Sequence, residues 1–145
     1  MLIRPRANLP PAPAKLGKLT DAERKIGKIP VFELTQIQAH IVQFQQSGLG
    51  IVTAKARDGL QHELRWMLSD VCGFIRCLER RHYKYSEWVY SSERAKVAFP
   101  ADVYVMGYNR LLQKEWPQAN PWNYLKFSFS AGSNTVQIFS LHPSR

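Results

Sequence analysis

The spacing of apolar residues in this chain changes period once, near residue 82, and that change restricts the fold class. Upstream, apolar residues recur every three or four positions, as on one face of a helix; downstream they alternate, as on a strand with one buried side. Over residues 31–47, Leu34, Ile37, Ile41 and Phe44 form a helical stripe, and Gly48 is a suitable C-terminal stop. Ile51 and Val52 lead into Thr53, an N-cap for a second helix over residues 54–65, where Ala56, Leu60 and Leu64 line one side and Gly59 weakens it. Ser69 and Asp70 open a third helix, with Val71, Phe74, Ile75 and Leu78 at helical spacing and Glu79, Arg80 and Arg81 closing it at the negative end of its dipole. Strands are then expected over 82–90 (HYKYSEWVY), 102–108 (DVYVMGY), 123–130 (NYLKFSFS) and 135–142 (TVQIFSLH), with a turn at 131–134. In the third, Leu125, Phe127 and Phe129 face one way and Tyr124, Lys126 and Ser128 the other. Helices followed by consecutive strands predict an α+β domain over residues 31–145, with N-terminal helices packed on one face of a C-terminal antiparallel sheet. The other face, carrying Tyr and Lys, is left to take a ligand.

Composition narrows the function classes. At 145 residues, 45% of them hydrophobic, the chain can pack one core, which excludes a wholly disordered protein. It holds no apolar run of the roughly 18 residues needed to cross a membrane, and its basic N-terminus lacks the apolar stretch of a secretory signal. Cys72 and Cys77 read as helix packing rather than a disulfide framework, and His40, His62, His82 and His142 are too scattered for a zinc site. A net charge of +9 on a chain read as cytoplasmic calls for an acidic partner, most often nucleic acid. The charge is concentrated: residues 1–30 hold seven Lys/Arg, two acids and five of the nine prolines. They read as an extended, flexible basic arm, either a solvated tail or an arm that contacts RNA phosphates; Asp21, Glu23 and the prolines weigh against a targeting peptide.

The sequence has no phosphate-cradling glycine loop, HExxH or nucleophile elbow, and no closely spaced acid pair for a magnesium cage. This argues against a two-metal nuclease, and no cofactor is expected. The remaining chemistry is Lys84, Tyr124, Lys126 and His142, backed by Arg80, Arg81 and His82. Such a set suits metal-independent RNA cleavage, in which the ribose 2′-OH attacks the adjacent phosphate and the protein moves protons and stabilises charge. On residue chemistry alone, a solvated Tyr/Lys sheet face fits equally. Arg80 and Arg81 also fit a helix-end cap, and Trp116 and Trp122 either pack down the 110–122 loop or stack bases.

The stretches LERRHYKYSEW, DVYV, NYLKFSFS and TVQIFSLH, preceded by IVTAKARDGLQHELRWMLSD, resemble in their order the MqsR family of bacterial toxins over residues 31–142. The resemblance implies a RelE-like, microbial-RNase-like fold and a ribosome-independent endoribonuclease that cleaves single-stranded mRNA, silenced by a cognate antitoxin protein. It places Lys84 at the family's catalytic lysine and Tyr124 at its active tyrosine, with Lys126 two residues on. Where the family's last strand ends Ser-Phe-Lys, this chain has Ser140-Leu141-His142; where the family has Trp-Gln before Asp-Val-Tyr, it has Pro100-Ala101. The expected catalytic set is therefore Lys84, Tyr124 and His142. The expected RNA-binding set is Lys126, Arg80, Arg81, His82 and Tyr104. A histidine in place of lysine can exchange a proton near neutrality and so act as general acid or base. A non-catalytic RNA-binding or regulatory protein on the same fold is the alternative, favoured by the missing glutamine.

Overall fold

In a computed structural model of the chain, residues 2–14, 19–90 and 97–144 are described. The helices are α1 (Asp21–Arg24), α2 (Leu34–Phe44), α3 (Ala54–Asp58) and α4 (Leu68–Cys77). The strands are β1 (Lys25–Gly27), β2 (Leu49–Ile51), β3 (Tyr83–Val89), β4 (Phe99–Met106), β5 (Tyr108–Asn109), β6 (Lys114–Glu115), β7 (Asn123–Ser130) and β8 (Thr135–Pro143). Six strands form one mixed sheet in the order β1-β3-β4-β7-β8-β2, and β5-β6 is a small separate hairpin. The α+β class follows from the two sequence periods. Among the described residues no helix is long and apolar enough to cross a membrane.

The local signals account for several elements. The Thr53 hydroxyl accepts the Ala56 N–H at 2.9 Å and opens α3. The Asp70 carboxylate accepts the Met67 N–H at 2.8 Å at the start of α4, one of the amides a helix leaves unpaired. Ile37 and Ile41 of α2 and Val71, Phe74 and Ile75 of α4 join Leu125 and Phe127 of β7 and Val136, Ile138 and Leu141 of β8 in one core cluster. His40 is part of this packing: its Nε2–H donates to the Asn134 carbonyl at 3.0 Å, and its ring lies against Phe44 and Phe129. Asn134 takes the positive φ of the β7–β8 turn, which asparagine tolerates.

Four expectations change. The sheet is mixed rather than antiparallel, because residues 49–51 pair in parallel with β8 instead of running straight into α3. The second helix stops after one turn and continues as a wide π turn over Gly59–Leu64. The reason is the close approach of Gly59 to β8: a Cβ there would lie 1.7 Å from the Leu141 carbonyl oxygen. The third helix ends at Cys77, so Arg80 and Arg81 lie in a separate 3₁₀ turn, Arg80–His82, rather than on its last turn.

The fourth change concerns the N-terminal arm, of which residues 1 and 15–18 lie outside the described residues. Parts of the remainder are anchored in the fold. Ile3 and Leu19 are each only 6% exposed, and β1 extends the sheet antiparallel to β3. Thr20 and Glu23 form a reciprocal capping box at α1. The Arg6 N–H donates to the Val31 carbonyl at 2.7 Å. Proline content and charge masked these anchors, which rest on single apolar residues without periodicity.

Buried Asp102 fastens the segment entering α2. Its carboxylate accepts the Val31 N–H at 2.8 Å, the Phe32 N–H at 3.0 Å and the Ser86 hydroxyl at 2.5 Å. Burial pushes its pKa up, and these three donors oppose that shift.

Candidate active site

Two β-bulges decide which side chains meet. Between β3 and β4, Tyr83 pairs with Tyr104 and Tyr85 with Val103, so Lys84 has no partner across the ladder. Between β7 and β8, Lys126 pairs with Ser140 but Phe127 pairs with Ile138, so Phe139 is the extra residue. Plain alternation would put Val136, Ile138, Ser140 and His142 on one side. The bulge instead keeps Val136, Ile138 and Leu141 in the core and turns Ser140 and His142 to the side of Lys126 and Tyr124.

Tyr124, Lys126 and His142 are thereby brought together. The Tyr124 and His142 rings stack with centroids 4.7 Å apart and planes 8° from parallel. The Tyr124 hydroxyl lies 2.9 Å from that of Tyr85, and Lys126 Nζ is 6.0 Å from the Tyr124 ring centroid. Lys126 Nζ also pairs with Glu87 at 2.6 Å, with both side chains little exposed, at 13% and 12%. Burial, then the hydrogen bond with Tyr85, push the Tyr124 pKa far up, so its phenol stays protonated and acts as a donor rather than a base. The Pro143 carbonyl, 2.7 Å from His142 Nδ1, can only accept. The hydrogen of the neutral ring therefore sits on Nδ1, and Nε2 carries the lone pair.

This face is more enclosed than the pattern of Tyr and Lys implies. Ala101 and Val103, which share it by alternation, are fully buried, and His142 is only 9% exposed. Arg24 of α1, paired with Asp21, is close enough to Glu87, Tyr85 and Tyr124 for their charges to interact. Tyr85, Glu87 and Arg24 escaped the sequence reading. The first two follow from resuming alternation after Lys84, whereas no local signal brings Arg24 here.

The other expected site residues lie apart from this cluster. Lys84 is exposed at its bulge. Tyr104, expected to bind RNA, is fully buried on the core side, stacked on Phe127 with centroids 5.9 Å apart. Its strand phase, shared with Asp102, points away from the Tyr124 face. Arg80 sits over the Tyr83 ring at 4.6 Å. His82 is 3% exposed and fully engaged: Nδ1 accepts the Glu79 N–H at 2.8 Å, so Nε2–H donates to Glu115 at 2.7 Å. Arg81 bridges Glu79 and Glu115. Among the described residues, Glu79, His82 and Glu115 have donor atoms within 4.8 Å of one another, a spacing a metal would accept. Arg81 already satisfies both carboxylates there, and the Glu79 N–H occupies one ring nitrogen, so the group works as an ion-pair cluster joining β6 to the start of β3. The 110–122 loop is held down by Trp122, whose Nε1–H donates to the Pro117 carbonyl at 3.1 Å, and by the Trp116 N–H bond to Gly107 at 2.8 Å.

No protein-family model, no curated protein and no solved structure matches this chain.

Proposed function

We propose that the protein is a metal-independent endoribonuclease of the mRNA-interferase type, acting on single-stranded RNA and held in check by an antitoxin protein. The observation that carries the reading is the stacked Tyr124–His142 pair with Lys126 beside it on the β7–β8 face. RelE-like layering, with helices over one sheet face and chemistry on the other, belongs to the same proposal. In the reaction, His142 takes the proton from the ribose 2′-OH through Nε2 as that oxygen attacks phosphorus. Lys126 stabilises the pentacoordinate phosphorane. The Tyr124 phenol donates a hydrogen bond to the phosphoryl group, and a proton from the imidazolium, relayed by water, leaves with the 5′-oxygen. The products are a 2′,3′-cyclic phosphate and a 5′-hydroxyl.

The test is cleavage of a long RNA in excess EDTA with analysis of the product ends. Cyclic phosphate and 5′-hydroxyl ends are expected; 5′-phosphate ends, or loss of cleavage in EDTA, would refute the reading. Lys126→Ala and His142→Ala are each expected to lower the rate by roughly 10²-fold or more.

A second reading, a non-catalytic RNA-binding or regulatory protein, is favoured by two observations. Lys126 is already neutralised by Glu87, and the position where the resemblance expects glutamine is Ala101, fully buried. RNA binding without turnover in the same assay would select it.

A further inference from the structure

On the core side of the sheet, away from the Tyr124 face, the N-terminal segment and the start of α2 enclose a groove of about 820 Å³, within the size range of small-ligand sites. Arg4, Arg6 and Arg80 border it, drawn from two distant parts of the chain. Ile3, buried in the core cluster, and the Arg6–Val31 backbone bond pin the first two in place. The N-terminus of α2 opens on the same groove through Leu34 and Thr35, and its first turn contains no acid. Early amides of a helix lack intrahelical partners and favour an anion.

A second observation is independent of charge. Tyr104 lines this groove, is 0% exposed, and its hydroxyl has no hydrogen-bond partner among the described residues. A buried donor left unmatched costs free energy unless something meets it. The Arg6 Nε is buried and unmatched in the same way. Two acids also border the groove. Glu79 is bonded to Arg81, and Glu33 is exposed at the α2 cap. Three guanidiniums against these leave a cationic site. Ile29 and Leu78 add apolar wall.

We propose that this groove is a phosphate-binding site for a nucleotide-sized ligand, separate from the Tyr124 face. Arg6 and Arg80 grip the phosphate oxygens, the α2 amides face them, and the Tyr104 hydroxyl donates to the ligand. The phosphate belongs either to a free mononucleotide or to an RNA chain, and the chemistry of recognition is shared.

The test is calorimetric titration of the full chain with adenosine 5′-monophosphate, adenosine, and a short 2′-O-methyl oligoribonucleotide that cannot be cleaved. At least one phosphate-bearing probe should bind saturably at or below millimolar concentration, and adenosine should not; the tighter probe identifies the source. Arg6→Ala and Arg80→Ala should each weaken binding at least about tenfold, as expected for a charge-assisted hydrogen bond. Tyr104→Phe, which keeps the ring and its packing, should weaken it about three- to tenfold. Lys114→Ala, on the β5–β6 hairpin outside the groove lining, should leave adenosine 5′-monophosphate binding unchanged, and because the readout is binding rather than cleavage, failure of the ribonuclease reading does not touch this one. Melting curves of every variant verify folding, and Arg6→Lys and Arg80→Lys, keeping the charge, should recover part of the affinity. Absence of saturable binding, adenosine binding as tightly as its monophosphate, or affinity insensitive to Arg6 and Arg80 would overturn the proposal.

Discussion

Replacing Gly59 by alanine tests the placement of the π turn against β8, because two effects of opposite sign compete there. Gly59 has helical dihedrals, φ −58° and ψ −46°, so on backbone entropy alone alanine should stabilise by about 0.5–1 kcal/mol. Against this, the added Cβ would lie 1.7 Å from the Leu141 oxygen and 2.9 Å from its carbonyl carbon, where real Cβ atoms essentially never come within 3.0 Å. The obstacle is strand backbone, paired with β7 at Leu125 and tied at the nearby Phe139 carbonyl by the Thr53 hydroxyl, so it cannot rotate away as a side chain would. Overpacking of this kind costs about 1–3 kcal/mol or more, which exceeds the propensity gain. A net loss of about 1–2 kcal/mol corresponds to a fall in Tm of roughly 3–8 °C for a chain of this size. The same Cβ would be 3.5 Å from that of His142, so the separation of turn and strand also shifts the imidazole from its stack on Tyr124, and RNA cleavage should fall with stability. The assay is calorimetric melting beside a control, Gly132→Ala, whose added Cβ meets nothing nearer than the Ser130 hydroxyl at 3.8 Å and which should stay within about 0.5 kcal/mol of wild type. A Gly59→Ala variant as stable as wild type, or more so, would refute the close approach and the positioning of His142 that depends on it.

Deleting residues 1–27 should lower Tm markedly, since Ile3 and Leu19 each contribute on the order of 1.5–3 kcal/mol of burial and β1 protects the β3 edge; unchanged melting would show the segment to be undocked. Asp102→Ala should cost roughly 1–3 kcal/mol for each buried donor it orphans, at Val31, Phe32 and Ser86, and should open residues 28–33 to limited proteolysis. Arg81, and then His82, hold the Glu115 carboxyl below its ordinary value of 4.5. The stability this contributes is present above that pH and lost as pH falls through the lower folded value, so Glu115→Gln should flatten the acid limb of a Tm-against-pH curve. An acid limb as steep as that of wild type would remove Glu115 from that role.

The order and type of the main elements were legible because each rests on neighbours in the chain. Thr53 caps its own helix, the Leu34–Ile37–Ile41 stripe needs only the helical repeat, and NYLKFSFS alternates by itself. The same alternation placed Tyr124 and Lys126 together, so two members of the candidate site could be read directly. What residues 49–51 pair with, and in which direction, depends on a strand more than eighty residues away, and no local pattern encodes it. The bulges at Lys84 and Phe139 are also non-local, since each records how one strand fits its neighbour, and a single extra residue reverses the side every later side chain faces. That reversal brings His142 to Tyr124, while the Tyr83–Tyr104 pairing leaves Tyr104 beneath the groove formed by Arg4, Arg6 and Arg80. Burial was decided the same way: Lys126 and Tyr124 have a polar pattern, yet Glu87 meets Lys126 only across β4, and Arg24 and α1 approach only when the N-terminal segment folds back over β3. Periodicity is a property of adjacent residues and survives in the sequence, whereas register, enclosure and the meeting of distant charges exist only once the chain has closed on itself.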